Sequence, residues 1–227
     1  MKRGKKYREV SRKFDPRELY SLERAVELVK ETAFAKFDET VEIALRLNVK
    51  AKHSIRDTLV LPHSFRAEKR ILVFAKGEKA EEAREAGAQF VGDADLVEKI
   101  QGGWLDFDVA VATPDMMKDV GKLGPILGRR GLMPNPKTKT VTFDLKQAIG
   151  ELKKGRVEFR GDKTGVVHMP IGKVSMDREK ILENARLLIQ EVERKRPSDV
   201  KGEYFLSIAL ASTMGPGIKV NHKEKAW

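Results

Sequence analysis

A chain of 227 residues with 41% hydrophobic side chains can bury a substantial core, as one large or two ordinary domains. Its 45 Lys plus Arg against 34 Asp plus Glu leave a formal charge of +11, which favours an anionic partner, nucleic acid first and an acidic membrane surface second. The lack of cysteine excludes disulfides, zinc ribbons and thiol chemistry, and the longest uninterrupted apolar run, Ile71 to Ala75, is far short of a membrane span.

Residues 2 to 13 form a basic arm with Lys2, Arg3, Lys5, Lys6, Arg8, Arg12 and Lys13 against a single acid, Glu9. No apolar h-region follows, so a secretory signal is not expected. The arm reads either as a solvated terminus or as a phosphate contact. Ser21 is placed to cap a helix carrying Leu22, Ala25, Val26 and Val29 as far as about Thr32. The most regular stretch of the chain comes next, from Lys36 to Val49. Val41, Ile43, Leu45, Leu47 and Val49 are apolar at every second position, which predicts a half-buried strand with Thr40, Glu42 and Arg46 turned outward and Phe37 at its start. That outer face is either an ordinary solvated sheet face or a recognition surface. A polar loop, Lys50 to Arg56, leads to a second strand, Asp57 to Leu61, stopped by Pro62.

From Arg70 the texture changes. Ile71 to Ala75 and Phe107 to Ala112 are continuous apolar runs, as expected of strands buried on both faces of a parallel sheet. Helices are predicted over Lys79 to Ala86, with Gly87 ending it, over Ala94 to Ile100 and around Asp115 to Leu123; Gln89 to Val91 is a short strand. Gly121 to Lys137 is rich in glycine and proline and free of acids, and reads as a basic loop. A short strand over Lys139 to Phe143 and a helix capped by Asp144 follow. Arg156 to Arg160 and Gly165 to Met169 alternate again around Gly161-Asp162-Lys163-Thr164, the pattern of a hairpin. Ser175 to Lys195 is a long amphipathic helix with Ile181, Ala185, Leu188 and Val192 on one face. A last strand, Glu203 to Ala211, runs into the tight turn Ser212-Thr213-Met214-Gly215-Pro216-Gly217.

Half-buried strands therefore sit at both ends of the chain and a buried-strand α/β unit sits between them, which implies a discontinuous domain, 1–67 plus 159–227, holding an insert, 68–158. The insert has 16 basic and 15 acidic residues, net +1; the flanks have 45 − 16 = 29 and 34 − 15 = 19, net +10. The footprint for a polyanion lies almost entirely on the outer domain. A nucleotide-binding enzyme would need a phosphate loop, but Lys76-Gly77-Glu78-Lys79 and Thr113-Pro114-Asp115, which follow the buried strands, match none. His53, His63, His168 and His222 share no metal-ligand spacing, and Ser207, Ser212 and Thr213 have no base beside them in sequence.

Four motifs occur in order: Lys36-Phe37-Asp38-Glu39-Thr40-Val41-Glu42, then Gly128 to Lys137, then Phe159-Arg160-Gly161-Asp162-Lys163-Thr164-Gly165, then Thr213-Met214-Gly215-Pro216. Together they strongly resemble the L-one family of large-subunit ribosomal proteins, over essentially the whole chain except His222 to Trp227. The resemblance implies an α/β protein: an α+β outer domain of split β-α-β topology that binds ribosomal RNA, and an inserted Rossmann-like parallel α/β domain that swings on two crossings, near Pro62 to Arg70 and near Glu158 to Arg160. The implied protein is not an enzyme and has no cofactor or metal. It is a cytoplasmic ribosome component, monomeric when free and without a membrane partner. Its implied partners are large-subunit ribosomal RNA at the mobile stalk, exit-site tRNA whose release it assists, and the messenger RNA of its own operon, which it represses. Carried over residue by residue, RNA contacts fall on Lys36, Phe37, Thr40, Glu42, Arg160, Asp162, Lys163, Thr164, Ser207, Thr213, Met214 and Gly215. A secondary RNA or tRNA contact falls on Arg129, Arg130, Lys137 and Lys139, with Arg129 standing where the family more often has proline. The alternatives are a generic basic nucleic-acid-binding protein and a nucleotide-binding enzyme.

Overall fold

The computed structural model of the chain describes residues 4–50, 55–65 and 69–223. Lys2, Arg3, His53, most of the loop 50–56, part of the crossing 62–70 and the last four residues of the chain lie outside that range. The elements run α1 (Lys5–Val10), α2 (Leu22–Thr32), β1 (Thr40–Leu47), β2 (Arg56–Val60), β3 (Ile71–Phe74), α3 (Glu78–Glu85), β4 (Phe90–Gly92), α4 (Ala94–Gln101), β5 (Val109–Ala112), α5 (Met117–Val120), α6 (Gly124–Leu127), α7 (Leu145–Lys153), β6 (Arg156–Arg160), β7 (Val166–Lys173), α8 (Arg178–Arg194), β8 (Phe205–Ser212) and β9 (Ile218–Val220). They fall into two compact units, Met1–Phe65 with Phe159–Trp227, and Arg66–Glu158.

The first unit is built on a four-stranded sheet in the order β7-β1-β8-β9, every neighbouring pair antiparallel. Strands β7 and β8 are joined through α8 and lie on either side of β1, which is a split β-α-β arrangement. Val41, Ile43, Leu45 and Leu47 are at most 2% exposed. On β7 and β8, Val167, Met169, Ile171, Ile208 and Leu210 continue the same inner face. Helices α2 and α8 pack on this sheet and on each other, and bury Ala25, Val26 and Val29 from one and Ile181, Ala185, Leu188 and Val192 from the other. Burying one of these Val, Ile or Leu side chains contributes about 1.5–3 kcal/mol. Ser21 caps α2 through its hydroxyl, which accepts from the Arg24 amide at 3.3 Å.

The second unit carries a three-stranded parallel sheet, β4-β3-β5. The uninterrupted apolar run of β3 feeds two cores. Leu72 and Phe74 join Leu96, Ile100, Ala110 and Leu127 on one face, while Ile71 and Val73 join Val111, Leu145 and Ile149 on the other. Asp144 caps α7 by accepting from the Gln147 amide.

The basic arm contains a helical turn, α1, with Val10 buried. Four expectations are corrected. The predicted helix Asp115 to Leu123 is broken into short 3-10 and α segments, and helical turns continue from Gly121 to Leu127, where a loop was expected. Met116, Val120, Leu123 and Leu127 bury one side of these turns at helical spacing, and that burial overrides the glycines and the proline. Lys139 to Phe143 is not a strand: Lys139 sits at φ +50°, and only Val141 bridges to Ala112. Finally, Gly161 to Thr164 does not close a hairpin within one sheet. Strand β6 pairs with β2 and β7 pairs with β1, so the turn passes the chain from one sheet to another, with a single bridge from Gly161 to Val167.

Candidate nucleic-acid interface

With both helices on the inner face, the alternate residues of β1 and its neighbours form an open face. Its rows read Lys173, Thr40 at one end, then Pro170, Glu42, Ala211, then His168, Ala44, Ala209, Lys219, then Val166, Arg46, Ser207. Glu42, Arg46, His168, Ser207 and Lys219 are exposed. A register shift between Arg46 and Leu47 leaves Leu206 as an extra residue on β8, so Leu206 and Ser207 both turn outward and Leu206 is 43% exposed.

The candidate RNA residues separate into two groups, one at each end of β1, about 23 Å apart by strand rise. At the Thr40 end the N-terminal strand and the C-terminal turn, remote in sequence, are locked together. The Thr40 amide donates to Thr213 Oγ1 at 3.0 Å, and that hydroxyl donates to the Thr40 carbonyl at 3.3 Å. Lys173 Nζ donates to Thr40 Oγ1 at 2.9 Å. Asp38 accepts from the amide and hydroxyl of Ser175 at 3.1 and 2.8 Å. Phe37 and Met214 stand out of this end at 56% and 52% exposure, unusual for large apolar groups, beside exposed Lys36. Gly215 closes the turn by donating to the Ser212 carbonyl at 3.1 Å, and a Cβ there would lie 2.4 Å from Ser212 Oγ. Its smallness therefore serves the turn's own packing.

Beneath this end lies Glu39, only 2% exposed. Its Oε1 accepts from the Phe34 and Ala35 amides at 2.9 and 2.7 Å, and its Oε2 accepts from the Met214 amide at 2.9 Å. Burial pushes the carboxyl pKa up, but the amides of Ala35, Met214 and Phe34 outweigh it and hold the group below its ordinary 4.5. A depressed folded value means that the stabilisation is complete above 4.5 and is lost as pH falls through the lower folded value. The thermal midpoint should therefore drop more steeply in the native chain than in Glu39→Gln as the pH falls below 4.5. Parallel drops in the two proteins would refute this.

At the other end of β1, Asp162 organises the turn. Its Oδ1 accepts from the amides of Thr164 and Val166 and from Thr164 Oγ1, each at 2.8 Å. The Val166 amide first, then the Thr164 hydroxyl, keep this carboxyl low. The carbonyl of Gly165, at φ +80°, accepts from the Leu47 amide at 2.9 Å, and a Cβ on Gly165 would come within 3.0 Å of the Leu47 oxygen. Arg160 and Lys163 are exposed here, with Ser207 facing Arg46 on the adjacent row. Asp162 and Thr164 are thus engaged with the turn, whereas Arg160 and Lys163 project from it.

The secondary candidates Arg129, Arg130, Lys137 and Lys139 belong to the second unit and are all exposed. The Pro134–Thr140 segment that carries two of them is held by Asn135, whose Oδ1 accepts from the Lys137 amide at 2.9 Å, and by Thr140 Oγ1, which accepts from the Asn135 amide at 2.8 Å. His63 pairs with Glu183 at 2.6 Å. Among the described residues no group of three His, Asp or Glu could hold a metal ion, and no helix is long and apolar enough to cross a membrane. Sequence reasoning missed Glu39, Asp38, Lys173 and Ser175 as parts of the site. One signal was there to read: Glu39 falls in phase with Val41, Ile43 and Leu45, so a carboxylate occupies an inward position of the strand.

Comparison with known proteins matches residues 29–216 to the family described as ribosomal protein L1p/L10e. Similar proteins include the large ribosomal subunit protein uL1 of Treponema denticola, 59% identical over 223 residues that make up 98% of this chain and 99% of that protein. The uL1 of Borreliella burgdorferi is 61% identical over 220 residues, 97% of each chain, and that of Treponema pallidum is 58% identical over 225 residues, 99% of this chain and all of the relative.

Proposed function

This chain belongs to the ribosomal protein L1p/L10e family, a family of structural proteins and not of enzymes, and from that premise we propose that it is a constituent of the large ribosomal subunit that binds ribosomal RNA at the mobile stalk through the open face of its first unit. The observation that carries the reading is the lock between Thr40 and Thr213, which presents Lys36, Phe37, Met214 and the polar strand face as one surface. Phosphates are held by Lys36, Arg160 and Lys163. Phe37 and Met214 offer apolar faces for sugars and unstacked bases, and Thr40, Ser207, Thr213 and the Gly215 backbone reach 2′-hydroxyls and phosphates. Glu42, a carboxylate in an anion-binding face, opposes affinity and serves discrimination by accepting from sugar hydroxyls or base donors. Asp162 and Thr164 shape the turn that presents Lys163.

We further propose that the same face binds the messenger RNA of the protein's own operon and so represses its translation. The exposed Arg129, Arg130, Lys137 and Lys139 of the second unit contact exit-site tRNA and assist its release. The protein works in the cytoplasm on the ribosome and is a monomer when free.

The test is a filter-binding titration of the full chain against a stalk-type ribosomal RNA fragment and a scrambled RNA at two salt concentrations. A strong preference for the native fragment is expected; equal binding with a steep salt slope would leave only a generic basic protein. Lys163→Ala should weaken binding to both RNAs and flatten the slope of log K against log salt by about one unit. An unchanged slope would remove Lys163 from the phosphate contacts.

A further inference from the structure

Each of the two exposed segments at the Thr40 end is a short irregular stretch. Lys36 and Phe37 lie in the connection between α2 and β1, and Thr213 and Met214 lie in the turn after β8. Neither has a helix or strand ladder of its own to define it. The bonds between Thr40 and Thr213 register the turn against the strand, and Asp38 with Ser175 ties the end of the connection to the chain two residues after Lys173. None of these reaches back to residues 34 and 35. One side chain does. Glu39 sends one carboxylate oxygen to the Phe34 and Ala35 amides and the other to the Met214 amide, 175 residues further along the chain.

We propose that Glu39 is a positioning residue that makes the Lys36-Phe37 connection and the Thr213-Met214 turn a single rigid recognition element, and so sets RNA specificity from beneath the surface. The inference rests on the RNA-binding reading above. At 2% exposure the carboxylate cannot itself serve as a contact for RNA, and its charge is neutralised by backbone donors instead of a cation. The chemistry demands a carboxylate of this length. It accepts on both oxygens, and bonds of an amide to an ionised acceptor are stronger than neutral ones. Glutamine has the same shape but turns an NH2 group toward one set of donor amides, so one arm is broken. Aspartate is a methylene shorter and spans only one arm. With the latch broken, both segments gain backbone freedom that must be removed again when a shaped RNA binds, so affinity for that RNA falls. A scrambled RNA held by phosphate contacts alone does not depend on this alignment.

Full-length native protein and Glu39→Gln are titrated by filter binding against the stalk-type fragment and the scrambled RNA at two salt concentrations. The expected result is at least a tenfold loss on the native fragment, roughly the cost of one lost preorganising contact, with unchanged affinity for the scrambled RNA and an unchanged salt slope. Glu39→Asp, which loses one arm without turning a donor toward the amides, should fall between the two. Retained preference in Glu39→Gln, or the same loss on both RNAs, overturns the proposal. If Glu39→Gln does not melt cooperatively, a double-mutant cycle in the otherwise native chain decides. Phe37→Ala and Met214→Ala should be non-additive in log K by a factor of about three or more, and additivity overturns the proposal. Lack of preference in the native protein would remove the functional reading and this inference together, and is read from the native arm alone.

Discussion

Replacing Thr213 and Met214 together by alanine is expected to weaken binding to a stalk-type ribosomal RNA fragment by about 100-fold, or about 2.7 kcal/mol, while shifting the thermal midpoint by no more than about 4 °C. The two effects separate because of where the side chains lie. Met214 is 52% exposed, so its truncation removes little buried surface from the free protein. It does remove an apolar group that would be fully covered in the complex, the position in which interface side chains matter most. The Thr213 hydroxyl exchanges two hydrogen bonds with Thr40 at a solvent-exposed site, where water can replace it at a cost of about 0.5–1 kcal/mol. Without it the turn is no longer registered against the strand. Filter binding and a melt followed by circular dichroism check both halves. A loss of affinity that scales with a large drop in midpoint would mean that the variant is partly unfolded and that the turn has not been tested as a contact. Wild-type affinity in a folded variant would take the turn out of the interface.

Asn184→Ala should be strongly destabilising to the first unit, costing about 3 kcal/mol and lowering the thermal midpoint by about 10 °C. Asn184 is fully buried on α8. Its Oδ1 accepts from the His63 amide at 3.2 Å, and its Nδ2 donates to the carbonyls of His63 and Ile171 at 2.9 and 2.8 Å. One side chain thus satisfies three backbone groups, and alanine would leave all of them unmatched, the Ile171 carbonyl in a buried site and the His63 groups in a partly buried one. By contrast, His63→Ala should cost under about 1 kcal/mol, since it removes only the side-chain contact with Glu183 at a partly exposed site and keeps the backbone bonds. Denaturant unfolding of the two variants distinguishes them. A loss below about 1 kcal/mol for Asn184→Ala would show that the pocket rehydrates or rearranges.

Glu39 and Asn184 make a common point about reading this chain. Each occupies a position that the apolar periodicity assigns to the core, Glu39 two residues before Val41 and Asn184 three after Ile181. The periodicity of β1 and α8 was plain from residue types, and so were the caps at Ser21 and Asp144. A polar side chain in the core phase is the one detail of the sequence that points to a network, because a buried polar group must find partners. The helical turns from Gly121 to Leu127 are hidden in the sequence because glycine and proline read as breakers, although Val120, Leu123 and Leu127 keep helical spacing through them.

The candidate site was legible to a similar degree. The exposed set on β1, the Lys163 turn and the Thr213 turn could be named from motifs, but their roles could not be divided. Asp162 and Thr164 carry polar atoms that look available in a sequence and are engaged with each other in the fold. Lys173 and Ser175, which hold the Thr40 end together, have no local signature at all.

What residue order alone determined was local and periodic: alternation that makes β1 a half-buried strand, continuous apolar runs that bury β3 and β5 on both faces, helix caps, and the concentration of positive charge outside residues 68–158. These follow from side-chain hydrophobicity and backbone preference, which act over a few residues. Pairing was decided only by the tertiary structure. That β7 takes β1 instead of β6, that Thr213 closes on Thr40, and that Glu39 spans two loops depend on which edges and amides are left unsatisfied once the core has formed, a condition set by the whole chain at once.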